Sequence, residues 1–430
     1  MGNANYKKAD WIHSAVIYEV NLRQYTTEGT FNAFCKELPR LKDMGVQTLW
    51  LMPVTPIAQK NKKGTMGSYY ACSDYVAVDP EFGTMDDLKN LVKLAHEMDF
   101  KIVLDWVANH TGWDHVWTKE QPGYYLIDAA TNDFKAASGM DDIIELDHKN
   151  PSLREAMIAA MEFWVREFDI DGFRCDLAFW VDLDFWIAAR ERLEKIKILF
   201  WLGEFDPLEH PAYYTCFDAA YTWTWMHKTA AFFKKDIGLA SLLDVLAQYE
   251  KVCGQKNIPL WFTSNHDENS WNGTEYEKYG SMAKAFAVFS FAWNGMPMIY
   301  SGQELPNTKR LAFFDKEVIG WNGNYALHEF YKTLCNLKKN NQALRAADEK
   351  AGTRLLPTSA GDSILGFVRQ YGDNEVLVFL NMSDTIVNFK IFDEQCRGYY
   401  TETFDKTKIK LTPDHFFEMQ PGGFLVYEKK

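Results

Sequence analysis

Eight short runs of β-branched and apolar residues recur between Ala15 and Gly302, with segments of helical spacing between them, and this alternation constrains the fold more than any other feature of the chain. The runs are AVIYEVNL from Ala15, VQTLWLMPV from Val46, KIVLDWV from Lys101, IDGFRCD from Ile170, ILFWLGE from Ile198, CFDAAYT from Cys216, PLWFTSN from Pro259 and MPMIYSG from Met296. Strands alternating with helices make a parallel sheet, and eight of them predict closure into an α/β fold of the (β/α)8 TIM-barrel type. Between the strands, FNAFCKELPRLKDMG and MDDLKNLVKLAHEMD carry apolar residues at spacings of three and four, and Gly45 gives the first a stop signal.

A chain of 430 residues exceeds a barrel of about 250 residues, which leaves room for additional units. Residues 111–150 form a connection without clear periodicity after the third strand, ahead of the helical pattern PSLREAMIAAMEFWVREF, and long connections of this kind tend to be functional. After about Lys350 the texture becomes alternating, in ILGFVRQ, EVLVFLNM, IVNFKIF and GFLVYEK, which predicts antiparallel β structure. The expected organisation is therefore a barrel over 1–110 and 151–349, a small inserted domain over 111–150 and a β-sandwich domain over 350–430.

Charge and cysteine usage narrow the function. A net charge of -13 disfavours nucleic acid, whose binders neutralise phosphates with clustered Lys and Arg. The cysteines at 35, 72, 175, 216, 253, 335 and 396 are scattered and form no CxxC pair, so neither a disulfide framework nor a zinc site is expected. The most apolar stretch, Ala285 to Trp293, is too short for a membrane span, and MGNANYKKADW lacks the apolar region of a signal peptide. A cytoplasmic location is the expectation. Trp, Tyr and Phe reach 15%, and rings with a polar edge suit the apolar faces of sugars, although most of them should be core.

Active sites of parallel barrels lie at the C-terminal ends of the strands. Four of these strands end in acids: Asp105 closes KIVLD, Asp176 closes GFRCD, Glu204 closes FWLGE, and Asp267 with His266 closes FTSNHD. Glycoside hydrolysis needs such a pair of carboxylates, one protonated to assist the leaving oxygen and one ionised to attack or activate water. Arg174 shares a strand face with Asp176 by the period of two, so its guanidinium is expected to keep that carboxylate ionised, as a nucleophile requires. Glu204 follows the apolar ILFWLG, where desolvation would raise its pKa toward that of a proton donor.

The strings DWVANH (105–110), GFRCDLA (172–178), LGE (202–204) and FTSNHD (262–267) resemble, in order, the four signature regions of the α-amylase family, glycoside hydrolase family 13. SYYACSDYVAVDPEFGT (68–84) and MPMIYSGQE (296–304) are similar to its second βα loop and eighth strand. The resemblance implies Asp176 as nucleophile, Glu204 as general acid/base and Asp267 as the carboxylate that binds sugar hydroxyls. It implies that Arg174, His110 and His266 surround the sugar that becomes covalently bound, that Tyr70 stacks beneath it, and that Asp105 braces the Arg.

Two positions depart from that pattern. Where many α-amylases have Lys-His after the nucleophile motif, this chain has Phe179 and Trp180, and one ring buried with one exposed is expected. The chemistry requires no cofactor and no catalytic metal. The family's calcium site would use Asn109 and, in place of the usual Asp, Glu145, so a structural calcium is left open. The implied substrate is an α-1,4-glucan or malto-oligosaccharide cleaved with retention. A 4-α-glucanotransferase or an α-glucosidase is the alternative within the family, and a catalytically inactive carbohydrate-binding relative is the alternative outside it.

Overall fold

The computed structural model describes residues 6–137, 139–412 and 415–429; Met1 to Asn5 of the segment read for a leader, and the last residue of the expected β-sandwich range, lie outside the described residues. Each of the eight runs contributes one barrel strand: β1 Ile17–Val20, β2 Thr48–Leu51, β3 Lys101–Trp106, β4 Gly172–Cys175, β5 Phe200–Gly203, β6 Ala219–Tyr221, β7 Ile258–Trp261 and β8 Met296–Tyr300. They close into a barrel in sequential order, every pair parallel. Because all strands run the same way, the residues that follow them meet at a single mouth.

The strands are buried on both faces, against side chains inside the barrel and helices outside it, which explains why they read as continuous apolar runs. Helix Met85–Glu97 matches its pattern and opens with a capping box between Thr84 and Asp87. Helix Pro151–Phe168 also matches, with Pro151 in the first turn and the Asn150 side chain accepting from Ser152 N–H at 2.9 Å. The segment 31–45 departs from expectation: it breaks into Phe31–Cys35 and Leu38–Met44. Pro39 explains the break, since its ring clashes with the carbonyl four residues earlier and it donates no hydrogen bond. Gly45 ends the second piece at φ 91°, the left-handed stop that glycine adopts without a Cβ penalty.

The aperiodic connection contains a three-stranded antiparallel sheet, with His110–Gly112 and Ala136–Ala137 flanking Met140–Glu145. Beyond the barrel, six antiparallel strands form one sheet and Val387–Lys390 pairs with Phe416–Met419 in a second. The two sheets meet through the rings of Phe379, Phe389 and Phe417, whose centroids lie 5.1–5.2 Å apart.

Candidate active site

Arg174 organises the mouth of the barrel. Register places it beside Asp105 of β3, so the two side chains share a face, and its guanidinium is fully buried. Nη1 donates to Asp105 at 2.9 and 3.1 Å and to Asp176 Oδ1 at 3.0 Å, while Nη2 donates to Glu204 Oε2 at 2.6 Å. The guanidinium plane packs near the rings of Trp50 and Tyr221, at 5.0 and 5.5 Å. The predicted brace from Asp105 and the predicted contact with Asp176 are therefore both present, and Glu204 shares the same cation.

Three buried carboxylates around one cation leave an excess of negative charge. Burial pushes Glu204 up to about 7, against the pull of Arg174 and with the repulsion of Asp176 and Asp267 added. The sequence argument for a raised acid at this position thus agrees with the site. At Asp176 burial outweighs the lowering by Arg174 and the carboxyl stands at about 6, which leaves it ionised at neutral pH with the guanidinium beside it. Asp105 is raised to about 6 in the same way, by burial before any other influence.

The residue after Asp176 shapes the acid's surroundings. Leu177 sits at φ 39°, ψ 46°, a left-handed conformation that costs a side-chain-bearing residue about 1–2 kcal/mol. It directs the Leu177 N–H to Glu204 Oε2 at 3.0 Å. Strain of this kind persists where the surroundings over-determine it, and it concentrates at functional sites.

His266 and Tyr70 form the opposite wall. His266 is buried, which lowers its pKa, but Asp267 and Glu19 raise it to about 9, so the ring is charged at neutral pH. Nδ1–H donates to Glu19 Oε1 at 2.5 Å and Nε2–H to Tyr70 Oη at 2.7 Å, and Nε2 lies 3.3 Å from Asp267 Oδ2. The Tyr70 hydroxyl donates to Asp105 Oδ2 at 3.2 Å, and its ring stacks on those of His266 and Phe313. Burial pushes His110 down to about 4, leaving it neutral, and its Nε2 has no hydrogen-bond partner although it lines the cavity. An imidazole in that state suits a sugar hydroxyl.

The cavity bounded by these groups measures about 500 Å³ and contains all of Tyr70, His110, Asp176, Glu204, His266 and Asp267 on its surface, with Arg174 beneath. Sequence reasoning missed several of its other parts. Glu19, which fixes the His266 ring, was signalled only as a lone acid inside the apolar run AVIYEVNL. Trp271, Phe313 and Phe314 belong to loops after β7 and β8, where no periodicity marks them. Phe179 and Trp180 divide as expected: Phe179 is half-buried against the His210 ring at 4.6 Å, while Trp180 is exposed and lines the cavity.

The residues matched to a calcium site fit a cation poorly. Asn109 and Glu145 line a neighbouring cavity of about 400 Å³, but the Glu145 carboxylate already accepts from Lys135 Nζ at 2.6 Å. An ammonium in that place repels a divalent ion and takes one of the few charged oxygens on offer. Among the described residues, the acid and histidine cluster compact enough for a metal is Asp43, His328 and Glu329, away from the mouth, and Asp43 is already paired with Lys332.

Known proteins place the chain. A model of the α-amylase catalytic domain matches residues 8–134 and 123–353, a span that holds every barrel strand and all the acids described above. Alpha-amylase 2 of Dictyoglomus thermophilum is 24% identical, covering 95% of this chain and 76% of its own length, and a cyclomaltodextrinase of Geobacillus thermopakistaniensis is 26% identical over 83% of this chain and 62% of its own length. A noncanonic maltogenic α-amylase from Thermotoga neapolitana superposes with a TM-score of 0.88 at 26% identity, covering 97% of this chain and 99% of that one. With the domain matched along the same strands that deliver the carboxylates, the protein belongs to the α-amylase family, glycoside hydrolase family 13.

Proposed function

We propose that this enzyme hydrolyses α-1,4-glucosidic bonds in malto-oligosaccharides with retention of anomeric configuration, and that Asp176 and Glu204 carry the chemistry. The observation that carries the assignment is the shared guanidinium: Arg174 holds one oxygen of each carboxylate, on adjacent strands, at the wall of one cavity. Asp176 attacks the anomeric carbon as Glu204 gives its proton to the departing O4, leaving a glycosyl ester. Glu204 then takes a proton from water, which attacks the same carbon and frees Asp176. Asp267 accepts from the hydroxyls of the reacting sugar with the charged His266 beside it, Tyr70 supports the sugar's apolar face and His110 accepts or donates through its free Nε2. No cofactor enters these steps. A location inside the cell agrees with seven cysteines that are all free thiols among the described residues.

Proton NMR of the first products tests the mechanism, since retention releases the α-anomer. Asp176→Asn is expected to abolish turnover, and Glu204→Gln to keep measurable activity only on substrates with very good leaving groups, which need little protonation. Early release of the β-anomer, or near-normal turnover by Asp176→Asn, would remove the assignment. Transfer to a second sugar in place of water is supported by Trp180, an exposed ring on the acid's side of the cavity that can hold an acceptor.

A further inference from the structure

The cavity is walled at one end and open at the other. Glu204 on β5 is tied by the Leu177 N–H to the loop that carries Trp180, so Trp180 stands on the side of the acid. Trp180 also lines the neighbouring cavity with Leu126, Asp147 and Asp182, which continues the path beyond it. Across the barrel from β5 lies β1, flanked by β2 and β8, and the loops after these two strands are joined. Thr65 donates from both N–H and Oγ1 to Asp315 Oδ1, at 2.8 and 2.6 Å, and Met66 N–H donates to the Phe314 carbonyl at 2.9 Å. Gly64 makes the approach feasible: at φ 61°, a Cβ there would lie 2.6 Å from Phe314 Cβ.

The same loop is bolted to the inserted sheet. Lys63 Nζ lies 2.7 Å from Asp141 Oδ1 and 2.9 Å from Asp142 Oδ1. The Asp141 side chain is 87% exposed and the Asp142 side chain 6%, with Lys63 at 34%, so the tie to Asp142 is the stronger: removing Lys63 would leave the Asp142 carboxylate desolvated without its partner. Lys63, Asp142 and Phe314 all face the cavity. Three segments far apart in sequence thus form one continuous rim, closing the end opposite the acid.

Chain polarity gives that end a meaning. In an α-1,4-glucan each anomeric carbon is bonded to O4 of the next unit toward the reducing end. Attack on that carbon with protonation by Glu204 expels the reducing-end part past Trp180, and the part left on Asp176 runs toward the non-reducing end, where the rim stands. We propose that the Lys63–Asp142 rim makes this enzyme act from chain ends, seating the non-reducing terminus against it and releasing short saccharides of about one or two units, the length a cavity of this size holds. The proposal rests on the assignment of Asp176 and Glu204.

The test compares maltoheptaose with maltoheptaose capped by a 4,6-ethylidene group on its non-reducing terminal sugar, with products separated by chromatography. The wild-type enzyme is expected to cut the capped chain at least about tenfold more slowly, and to shorten the free chain from its non-reducing end without early mid-length fragments. Lys63→Ala is expected to raise the capped-to-free rate ratio by about tenfold. Equal cleavage of both substrates by the wild type, a comparison that needs no variant, would overturn the proposal alone. An unchanged ratio in a folded Lys63→Ala would overturn the role of the rim, and cleavage of neither substrate would remove the catalytic assignment and this proposal with it.

Discussion

One guanidinium cannot neutralise three buried carboxylates, so protons take up part of the remaining charge at neutral pH. Turnover needs Asp176 ionised, at about 6, and Glu204 protonated, at about 7. The pH profile of kcat/KM should therefore be a narrow bell, rising through about 6 and falling through about 7, with both limbs belonging to the coupled set. A profile flat across that window would contradict the arrangement. Stability carries the same signature. Glu204 holds its proton more tightly folded than unfolded, so its favourable contribution is full below its ordinary value near 4.5 and declines as pH rises toward 7. Glu204→Gln removes that loss and is expected to melt a few degrees above wild type at pH above about 7, with the gap closing in acid. Differential scanning calorimetry across pH checks the sign.

Two segments around the cavity carry their own consequences. The short turn Ala178–Trp180 after β4 presents one ring to the interior and one to the cavity, where hydrogen-bonding side chains would restrict a sugar more tightly than a stacking face does. Trp180→Ala should lower the ratio of transfer to hydrolysis on malto-oligosaccharides by more than it lowers total cleavage; equal loss of both, with a reduced Tm, would assign the ring to packing. Hydrogen bonds and an ion pair tie the inserted sheet to the barrel and to itself: Leu146 N–H donates to the Asn109 carbonyl, His148 Nε2 meets the Ala108 carbonyl and Lys135 Nζ occupies the Glu145 carboxylate. We therefore expect a chelator to leave Tm unchanged within about one degree, since only an ion bound to the native state would raise it. A drop of several degrees that calcium reverses would show that Lys135 yields to the ion.

At the scale of the molecule, the barrel and the C-terminal sheet share one hydrophobic core. Phe367 of the strand Ile364–Tyr371 is fully buried against Trp293, at 4.9 Å, and Phe289, at 6.3 Å, both from the helical segment that precedes β8. Arg369 on the same strand donates to the Ala343 and Arg345 carbonyls. Such contact couples the two parts, so a single calorimetric transition is expected, and Phe367→Ala should cost about 3–5 kcal/mol while keeping kcat near wild type well below its lowered Tm. Two resolved transitions in the wild type would show that they unfold independently.

How much of this was legible in the sequence depends on the range of the interaction. The eight strands, helices 85–97 and 151–168, and the acids Asp105, Asp176 and Glu204 at strand ends were readable, because strand and helix periods are local and a barrel assigns function to a position along each strand. Helix 31–45 was misread for an equally local reason, Pro39, whose effect on the preceding turn is steric. What tertiary structure alone decided is who meets whom: Glu19 reaches His266 across 247 positions, and Lys63 finds Asp142 only once the second loop and the inserted sheet are folded. Asp176 shows the same division within one residue. Its place beside Arg174 follows from the period of a strand, but its proton affinity follows from burial, and burial is a property of the whole fold rather than of any segment.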